Sequence, residues 1–419
     1  MWRITALRES LDSNDDGRLA SRLVLAQTAS ATVAAVPPAP TDVWETDERR
    51  ALRALARAFT VREIVPHLSD WERAQEVPRD LHRRAAAAGL LGIGFPEEAG
   101  GTGGDAIDVA VLTEELIHAG GTSGLCAALL THGIALPHLI ASGDPHLIET
   151  YARPTLAGEM IGALAVTEPD GGSDVASLRT RAVRDGDDYV VNGTKTFITS
   201  GARADFITTA VRTGGPGHAG ISLLVIPTHT PGFSVVRRLE KMGWHCSDTA
   251  ELAFVDCRVP ATNLIGAEGS AFVQIARNFA GERLGLATQA HATAQRCLDL
   301  TVDYARHRIV FGKPLIAKQT VRHTLVEMAR QTELARVYTH HVLARSARGE
   351  QVPAEAAQAK NAAVTACDFV VDKAVQLHGG FGYLRDAEVE RHYRDSRILG
   401  IGGGATEVMN DLIAKAYGW

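Results

Sequence analysis

The 419-residue sequence has no long hydrophobic segment, few cysteines and no excess of basic residues. No apolar run reaches the roughly 20 residues that cross a bilayer, so no membrane partner is expected. The formal net charge is −6, and a chain without concentrated basic charge is not expected to bind nucleic acid. The five cysteines are scattered and form no CxxC pair, which argues against a disulfide framework or a zinc site. We therefore expect a reducing, cytoplasmic compartment.

Composition divides the chain into four predicted segments: 1–45, 46–161, 162–266 and 267–419. The first segment has three interpretations: a disordered extension, a targeting peptide or an upstream translation start. Its early acidic residues interrupt a secretory or mitochondrial signal, and the proline cluster Pro37–Pro40 ends it. These features favour a mobile extension.

The order helical, β, helical predicts an α+β protein with three structured regions. The second segment is rich in good helix formers and predicts an N-terminal helical domain with helical stretches at Asp47–Ala58, Asp80–Leu91, Ile107–Ala119 and Leu125–Ala141. The last segment has long stretches with few Gly or Pro, and it predicts a C-terminal four-helix bundle containing Phe272–His307, Gln319–Arg348 and Pro353–His378.

The middle segment alternates short β-branched runs with Gly and Pro, which predicts a small antiparallel β-barrel or sandwich. Asn192–Gly193 between two such runs predicts a hairpin turn. Further strands are predicted at Phe206–Val211, Ile221–Ile226, Phe233–Arg237 and Glu251–Phe254.

Two patterns suggest ligand sites but lack the required context. Gly400–Ala405 matches the loose GxGxxG/A pattern, yet its surroundings are helical and the chain ends before an acidic partner could follow. We exclude a nicotinamide Rossmann site and interpret these glycines as a place of close backbone approach. The sixteen histidines form no HxxxH or HExxH pair, and the adjacent His340 and His341 project in different directions on a helix. A surface position is predicted for both, and no metal site.

Glu282 is the first candidate catalytic residue. It is in line with an apolar stripe of residues three or four positions apart: Phe272, Ile275, Phe279, Glu282 and Leu286. Burial of an unpaired carboxylate raises its pKa, as a general base requires. The alternative is a structural ion pair with Arg283 or Arg277, and the pattern alone does not choose between the two.

Three clusters, at 165–174, 308–319 and 376–383, combine Gly with hydroxyl or guanidinium groups that suit phosphate or carbonyl oxygens. With two further motifs they give the chain, over 47–417, a resemblance to the acyl-CoA dehydrogenase flavoprotein family. The motifs are TEPxxGSD at 167–174, NGxKxxIT at 192–199, KMGWxxSDT at 241–249, the ER…YxxxR…FGKPL…Q run at 282–319 and QxxGGxGY at 376–383.

The resemblance implies FAD, bound between the β domain and the C-terminal helices. Thr199 is expected near flavin N5, and Phe197 takes a place often held by Trp, where an aromatic ring still packs on the flavin. Arg308 is expected at the pyrophosphate, and part of this site reaches a neighbouring subunit. The full set implied at the cofactor is Leu164, Ala165, Val166, Thr167, Ser173, Phe197, Ile198, Thr199, Arg308, Phe311, Gln319, Gln376, Gly379, Gly380, Ala405 and Glu407.

The implied reaction is α,β-dehydrogenation of an acyl-CoA thioester to the trans-2-enoyl-CoA. In this family a carboxylate takes the α-proton and a hydride passes from the β-carbon to flavin N5. Many members carry the base in a C-terminal IYEGT segment, but Gly403 stands at that place here. Long-chain and isovaleryl members carry it on the helix at the position that Glu282 matches, so Glu282 is predicted as the base. Ser173, Arg283 and the Gly403 N–H are expected at the substrate.

The resemblance also implies an electron-transferring flavoprotein as acceptor and a homotetramer. His245 and Ala405 replace an Arg and a Thr that are common in the family, which leaves the contacts around them open. Two alternatives keep the fold. One is a flavin-dependent oxidase or hydroxylase acting on a nitroalkane, amine or aromatic substrate, against which Glu282 argues. The other is a non-catalytic flavoprotein, which the missing acid at Gly403 would suit.

Overall fold

The N-terminal region consists of short helices. The computed structural model describes residues 43–419, so most of the extension predicted for 1–45 lies outside the described residues. Thr46 begins the first helix, because its hydroxyl accepts a hydrogen bond from the Arg49 backbone N–H. The helices are Asp47–Phe59, Leu68–Ala74, Arg79–Ala87, Ala106–His118, Ser123–Leu129, His132–Ala135, Pro137–Ser142, Pro145–Leu147 and Arg153–Leu156, with π-helical turns at Thr60–Ile64 and Ile148–Ala152.

The stretch predicted to be helical over Leu125–Ala141 is helical, but it is divided into three short helices. Leu130 leaves the helical conformation after the first of them, and Pro137 starts the third. Proline has no N–H to donate into a preceding helical turn, so it is tolerated at the first helical position but not inside a helix. The interruption lets Gly133 and Pro137 line the cavity described below.

The middle region forms an eight-stranded sheet. The strands are β1 Gly162–Ala165, β2 Arg181–Asp185, β3 Asp188–Thr199, β4 Phe206–Arg212, β5 Ile221–Pro227, β6 Phe233–Arg238, β7 Thr249–Pro260 and β8 Leu264–Ile265. Their order is β6-β7-β3-β2-β4-β5-β8, and β1 pairs with β4. Most neighbouring strands are antiparallel, as predicted, but β1 and β2 both run parallel to β4.

The hairpin predicted at Asn192–Gly193 is also wrong. Both residues lie inside the continuous strand β3, where the pairing with β7 shifts register between Val191 and Gly193. A Cβ at Gly193 would lie 2.7 Å from the Thr180 Cα, so the glycine permits close backbone approach at a bulge rather than a turn. The hairpin joins β2 to β3 through Gly186, whose φ is +63°.

The C-terminal region is built on the helices predicted from the sequence, observed at Ala271–His307, Gln319–Ala347 and Pro353–His378. The first packs along both others, and the shorter helices Glu388–Ser396 and Thr406–Tyr417 pack on the third. A two-stranded ribbon of β9 (Ile309–Val310) and β10 (Lys313–Pro314) follows the first long helix.

One buried cluster joins the three regions. Leu136 and Leu139 from the N-terminal helices, Phe206 and Val225 from the sheet, and Ile275 from the long helix Ala271–His307 share one apolar core. The candidate site therefore lies among elements that hold one another in place. Within residues 43–419, no single helix is long and apolar enough to cross a membrane, although the bent pair Ser123–Leu129 and His132–Ser142 passes by length and composition. All five cysteines are free and buried.

Candidate active site

Glu282 lies at a cavity of about 230 Å³ between the long helix Ala271–His307 and the short N-terminal helices. Ile134, Leu164 and Phe279 contribute apolar surface to its wall, and His138 and Asn278 contribute polar groups. The stripe predicted from the sequence is present, since Ile275 and Leu286 are buried on the same helix face. The half-buried Glu282 is therefore held by a packed helix and lines the space that a substrate could enter.

The electrostatics of Glu282 suit a proton acceptor. Burial raises the pKa of its carboxyl, and the positive charges of Arg283 and Lys360 oppose that shift. Among the described residues Glu282 forms no ion pair: the Arg283 Nε donates instead to the Gly403 carbonyl oxygen at 3.3 Å, and Arg277 is exposed. The arrangement favours the base over the structural ion pair.

Gly403 lies directly against Glu282, and the structure leaves no room for a side chain there. Its φ is +63°, a conformation that side-chain-bearing residues rarely adopt. An added Cβ would lie 2.6 Å from the Leu286 Cδ1 and 3.5 Å from the Glu282 Oε1. The glycine turn therefore brings its backbone close to the Glu282 carboxylate. This agrees with the close backbone approach predicted for the glycines of 400–405.

A buried ion pair that sequence reasoning missed joins the TEPxxGSD motif to the NGxKxxIT motif. The Lys195 Nζ lies 2.9 Å from the Glu168 Oε1 and also donates to the Val166 carbonyl oxygen. Glu168 accepts further hydrogen bonds from the backbone N–H groups of Arg179 and Thr180. Burial lowers the pKa of Lys195 to about 8, while Glu168 opposes the shift. The pair fixes the stretch 164–168 against β3.

This pairing sets the predicted flavin-facing residues side by side. Phe197 lies at a bulge of β3 with φ +58°, and its ring is 68% exposed. Leu164 lines the Glu282 cavity, and Val166 and Thr167 just after β1, together with Thr199 at the end of β3, are half-buried. An exposed aromatic ring on a strained backbone suits a site that packs a flat ring system. The side chains of Ala165 and Ile198 lie in the core of the sheet.

The remaining cofactor candidates form a second, exposed group. Tyr304 stacks on His378 with ring centroids 4.3 Å apart and donates a hydrogen bond to the His378 carbonyl oxygen. This contact joins the end of the long helix Ala271–His307 to the glycine turn that follows the helix Pro353–His378. The residues that it brings to the surface are Arg308, Phe311, Gln319, Gln376, Gly379 and Gly380.

These residues fit a dinucleotide cofactor. Among the described residues Arg308 has no acidic partner, so its guanidinium is available for a phosphate. A Cβ at Gly379 or Gly380 would meet no atom within 4 Å, which leaves the backbone open to a ligand. The structure places Ser173 in an exposed loop, Ala405 at the start of the last helix and Glu407 exposed in its first turn.

The KMGWxxSDT segment lies at the junction of the regions. The Trp244 N–H donates to the Asp395 Oδ1 at 2.6 Å, and the Cys246 N–H donates to Glu72. His245, the departure from the family pattern, makes its contacts with the Lys241 carbonyl oxygen and with Arg394. The position at which the family commonly has Arg is therefore occupied by a histidine that contacts residues at this junction.

The surface position predicted for both adjacent histidines is wrong for His340. His341 is exposed, but the His340 Nε2 lies 2.5 Å from the Glu114 Oε1 in the interface between helices, and His291 lies 3.7 Å from the same oxygen. Their oxygen and nitrogen atoms are close enough to hold a metal ion. However, Arg53 already neutralises Glu114 at 3.1 Å, so we interpret the group as a buried ion pair of Arg53 and Glu114 with the two histidines packed around the carboxylate.

Known families cover nearly all of the described chain. The N-terminal, middle and C-terminal domain families of acyl-CoA dehydrogenase match residues 46–159, 163–257 and 269–418. The chain is 36% identical over 372 residues to the mitochondrial long-chain specific acyl-CoA dehydrogenase of Rattus norvegicus, covering 88% of this chain and 86% of that protein.

Solved structures agree. A crystal structure of a probable acyl-CoA dehydrogenase from Mycobacterium abscessus is 64% identical with a TM-score of 0.89, covering 89% of this chain and all of that one. A Mycobacterium smegmatis glutaryl-CoA dehydrogenase in complex with FADH2 is 26% identical with a TM-score of 0.84, covering 90% and 96%. The chain therefore belongs to the acyl-CoA dehydrogenase family and is a flavin-dependent oxidoreductase that acts on the CH–CH group of an acyl-CoA.

Proposed function

We propose that this enzyme uses FAD and the carboxylate of Glu282 to convert an acyl-CoA into its trans-2-enoyl-CoA. The observation that carries the proposal is the close approach of the Gly403 turn to Glu282. Glu282 lines the cavity, and the neighbouring turn has no room for a catalytic side chain of its own. Glu282 is thus the carboxylate that this wall of the cavity offers as α-proton acceptor.

Each residue has a defined part in the reaction. Glu282 removes the α-proton, and burial favours its protonated form once the proton has moved. The Gly403 N–H donates to the thioester oxygen, where negative charge develops as the proton leaves. Arg283 holds the turn through the Gly403 carbonyl oxygen and adds positive charge. The flavin, when bound, supplies the acceptor for the hydride of the β-carbon.

The cofactor would be held at both ends. Phe197 would pack against the ring system, with Leu164, Thr167 and Thr199 around it, because these groups lie together beside the cavity. Arg308 would bind the pyrophosphate, and Gln376 with Gly379 would contact the adenosine end. A guanidinium suits a diphosphate because it forms two parallel charged hydrogen bonds. Ser173, in its exposed loop, would meet the substrate.

We also propose a homotetramer that passes electrons to an electron-transferring flavoprotein. Large apolar side chains are exposed where the second group of cofactor candidates lies: Phe311 is 95% and Tyr383 84% exposed. Exposed apolar side chains that lie together on one surface suit a contact with another protein. A second subunit at this surface would complete the adenosine end of the cofactor site.

The test is an anaerobic titration of the flavin-loaded enzyme with acyl-CoAs of increasing chain length, followed at the visible flavin band. Bleaching by one of them supports dehydrogenation and names the substrate class. Glu282→Gln is expected to retain flavin but to lose bleaching, at least about 10³-fold in rate, because it removes the proton acceptor. Normal bleaching by this variant would refute the assignment of the base.

Two outcomes would favour the alternative functions. Rapid oxygen consumption with an amine, nitroalkane or aromatic substrate would support the oxidase or hydroxylase. Bound FAD that no acyl-CoA reduces would support the non-catalytic flavoprotein.

A further inference from the structure

Lys360 is a buried cation beside the proposed base. Its side chain, on the helix Pro353–His378, is fully buried, and its Nζ donates to the Gly404 carbonyl oxygen. Among the described residues it forms no ion pair with a carboxylate. Burying an ammonium group without a paired carboxylate is costly, so a position that keeps one is expected to use its charge.

The charges around Lys360 come from three directions. Glu282 and Arg283 face it from the helix Ala271–His307, and both charges act on its ammonium group. The glycine turn contributes only backbone groups. In the cavity that Glu282 lines, Arg277 is exposed, and burial lowers the pKa of His138 to about 4, so this imidazole is neutral at ordinary pH. The site thus holds two buried cations, Arg283 and Lys360, for one carboxylate.

We propose that Lys360 is a positioning residue for the dehydrogenation: it fixes the Gly402–Gly404 turn so that the Gly403 N–H meets the thioester oxygen, and its charge stabilises the ionised form of Glu282. The inference rests on the proposed function. The chain is held on both sides of the Gly403 N–H. Before it, the Gly402 N–H donates to the Ile398 carbonyl oxygen at 2.8 Å. After it, Arg283 donates to the Gly403 carbonyl oxygen and Lys360 to that of Gly404. A backbone donor held on both sides keeps its direction during the reaction.

The excess positive charge serves both stages of proton transfer. Before transfer, Arg283 and Lys360 favour the carboxylate of Glu282, which is the form that accepts a proton. After transfer, Glu282 is neutral and negative charge has moved to the thioester oxygen beside Gly403. The two cations remain in place, and they then stabilise this oxygen. A neutral side chain at position 360 would lose both effects.

Titration of Lys360 gives the inference a signature in the pH profile. Burial and Arg283 lower the pKa of Lys360 to about 8, and Glu282 opposes the shift. The ammonium form is the active one, so kcat/KM should fall as pH rises through this value. Loss of the cation by mutation should raise the pKa of Glu282, which moves the acidic limb to higher pH.

The experiment compares Lys360→Met with Lys373→Met in the flavin-loaded enzyme. Lys373 lies on the same helix but pairs with the neighbouring Asp372, and it serves as the matched control. Two rates are measured across pH: turnover of the acyl-CoA that bleaches the flavin, and exchange of its α-protons in D₂O. Lys360→Met should lower kcat at least about tenfold, lose the basic limb and shift the acidic limb upward, while Lys373→Met should match the wild type.

Unchanged limbs and kcat in Lys360→Met would overturn the inference. If this variant loses its flavin, Lys360→Arg keeps a charge that does not titrate near pH 8, and it should retain turnover but lose the basic limb. A basic limb that persists in Lys360→Arg would also overturn it. Failure of the proposed base is separately visible, because Glu282→Gln would then exchange α-protons at the wild-type rate.

Discussion

Replacement of Gly403 by Ala is expected to destabilise the protein and to impair catalysis. The φ of +63° costs an L-residue about 1–2 kcal/mol. The new Cβ would lie 2.6 Å from the Leu286 Cδ1, and Leu286 is only 8% exposed, so the overlap must be relieved inside packed structure. Overpacking of this kind costs about 1–3 kcal/mol. The free energy of unfolding should therefore fall by about 2–5 kcal/mol.

The catalytic effect follows from the position of the base. The same Cβ would lie 3.5 Å from the Glu282 Oε1, and Leu286 lies one helical turn after Glu282 on the same face. Any movement that accommodates the methyl group must shift the turn, Leu286 or the carboxylate. A displacement of about 1 Å at a reacting group costs roughly 10²-fold in rate, and we expect a loss in kcat of that order.

Gly402→Ala is the matched control on the same turn. Its added Cβ would lie 3.5 Å from the Ile398 carbonyl oxygen, an ordinary contact, and the backbone there is not left-handed. Urea unfolding of the flavin-loaded variants measures the stability difference, and steady-state turnover with the acyl-CoA that bleaches the flavin measures the catalytic one. Equal unfolding free energies and equal turnover for the two variants would refute the steric argument.

Two further predictions concern the cofactor and pH. Arg308→Ala should weaken FAD retention about 10- to 100-fold, because it removes a charged hydrogen-bond donor to the pyrophosphate. The control is Arg330→Ala, which removes an exposed ion pair with Glu327 and should leave FAD retention unchanged. Equal flavin release from both variants would contradict the assignment of Arg308. Stability should fall with pH below about 6.5, because burial lowers the pKa of His82 and His291 to about 3 and of His132 and His138 to about 4. The unfolded chain then binds protons that the folded chain does not, and a urea midpoint that stays constant from about pH 7 to 5 would contradict this.

Local sequence patterns predicted the helices, in which each residue bonds to residues close to it in sequence. The long C-terminal helices were found almost to the residue, because few Gly or Pro interrupt a period of 3.6 over many turns. The pattern failed at Gly193, where the same Asn–Gly pair that favours a turn serves a close approach to Thr180 within a strand. Only the packing of another segment distinguishes the two uses of glycine.

The polar groups that sequence reasoning missed are held by partners far along the chain. Lys195 pairs with Glu168, Lys360 meets Gly404 and His340 meets Glu114 across 226 positions. No periodicity encodes such pairs, so a histidine on a helix looks the same whether it faces water or a buried carboxylate. The hydrogen-bond partner of each of these residues can therefore be identified only from the folded structure.

Glu282 and Gly403 differ from the family's common pattern together, and the structure shows that the two positions form one site. The stripe that makes Glu282 face inward also carries Leu286, and Leu286 fills the space that a side chain at position 403 would need. A carboxylate moved from position 282 to position 403 would therefore meet Leu286 before it could reach the cavity. The left-handed turn at Gly403 in turn lets the backbone pass so close to the helix that an added Cβ would lie 3.5 Å from the Glu282 Oε1. The helix thus determines both where the base can lie and why the turn opposite must be glycine.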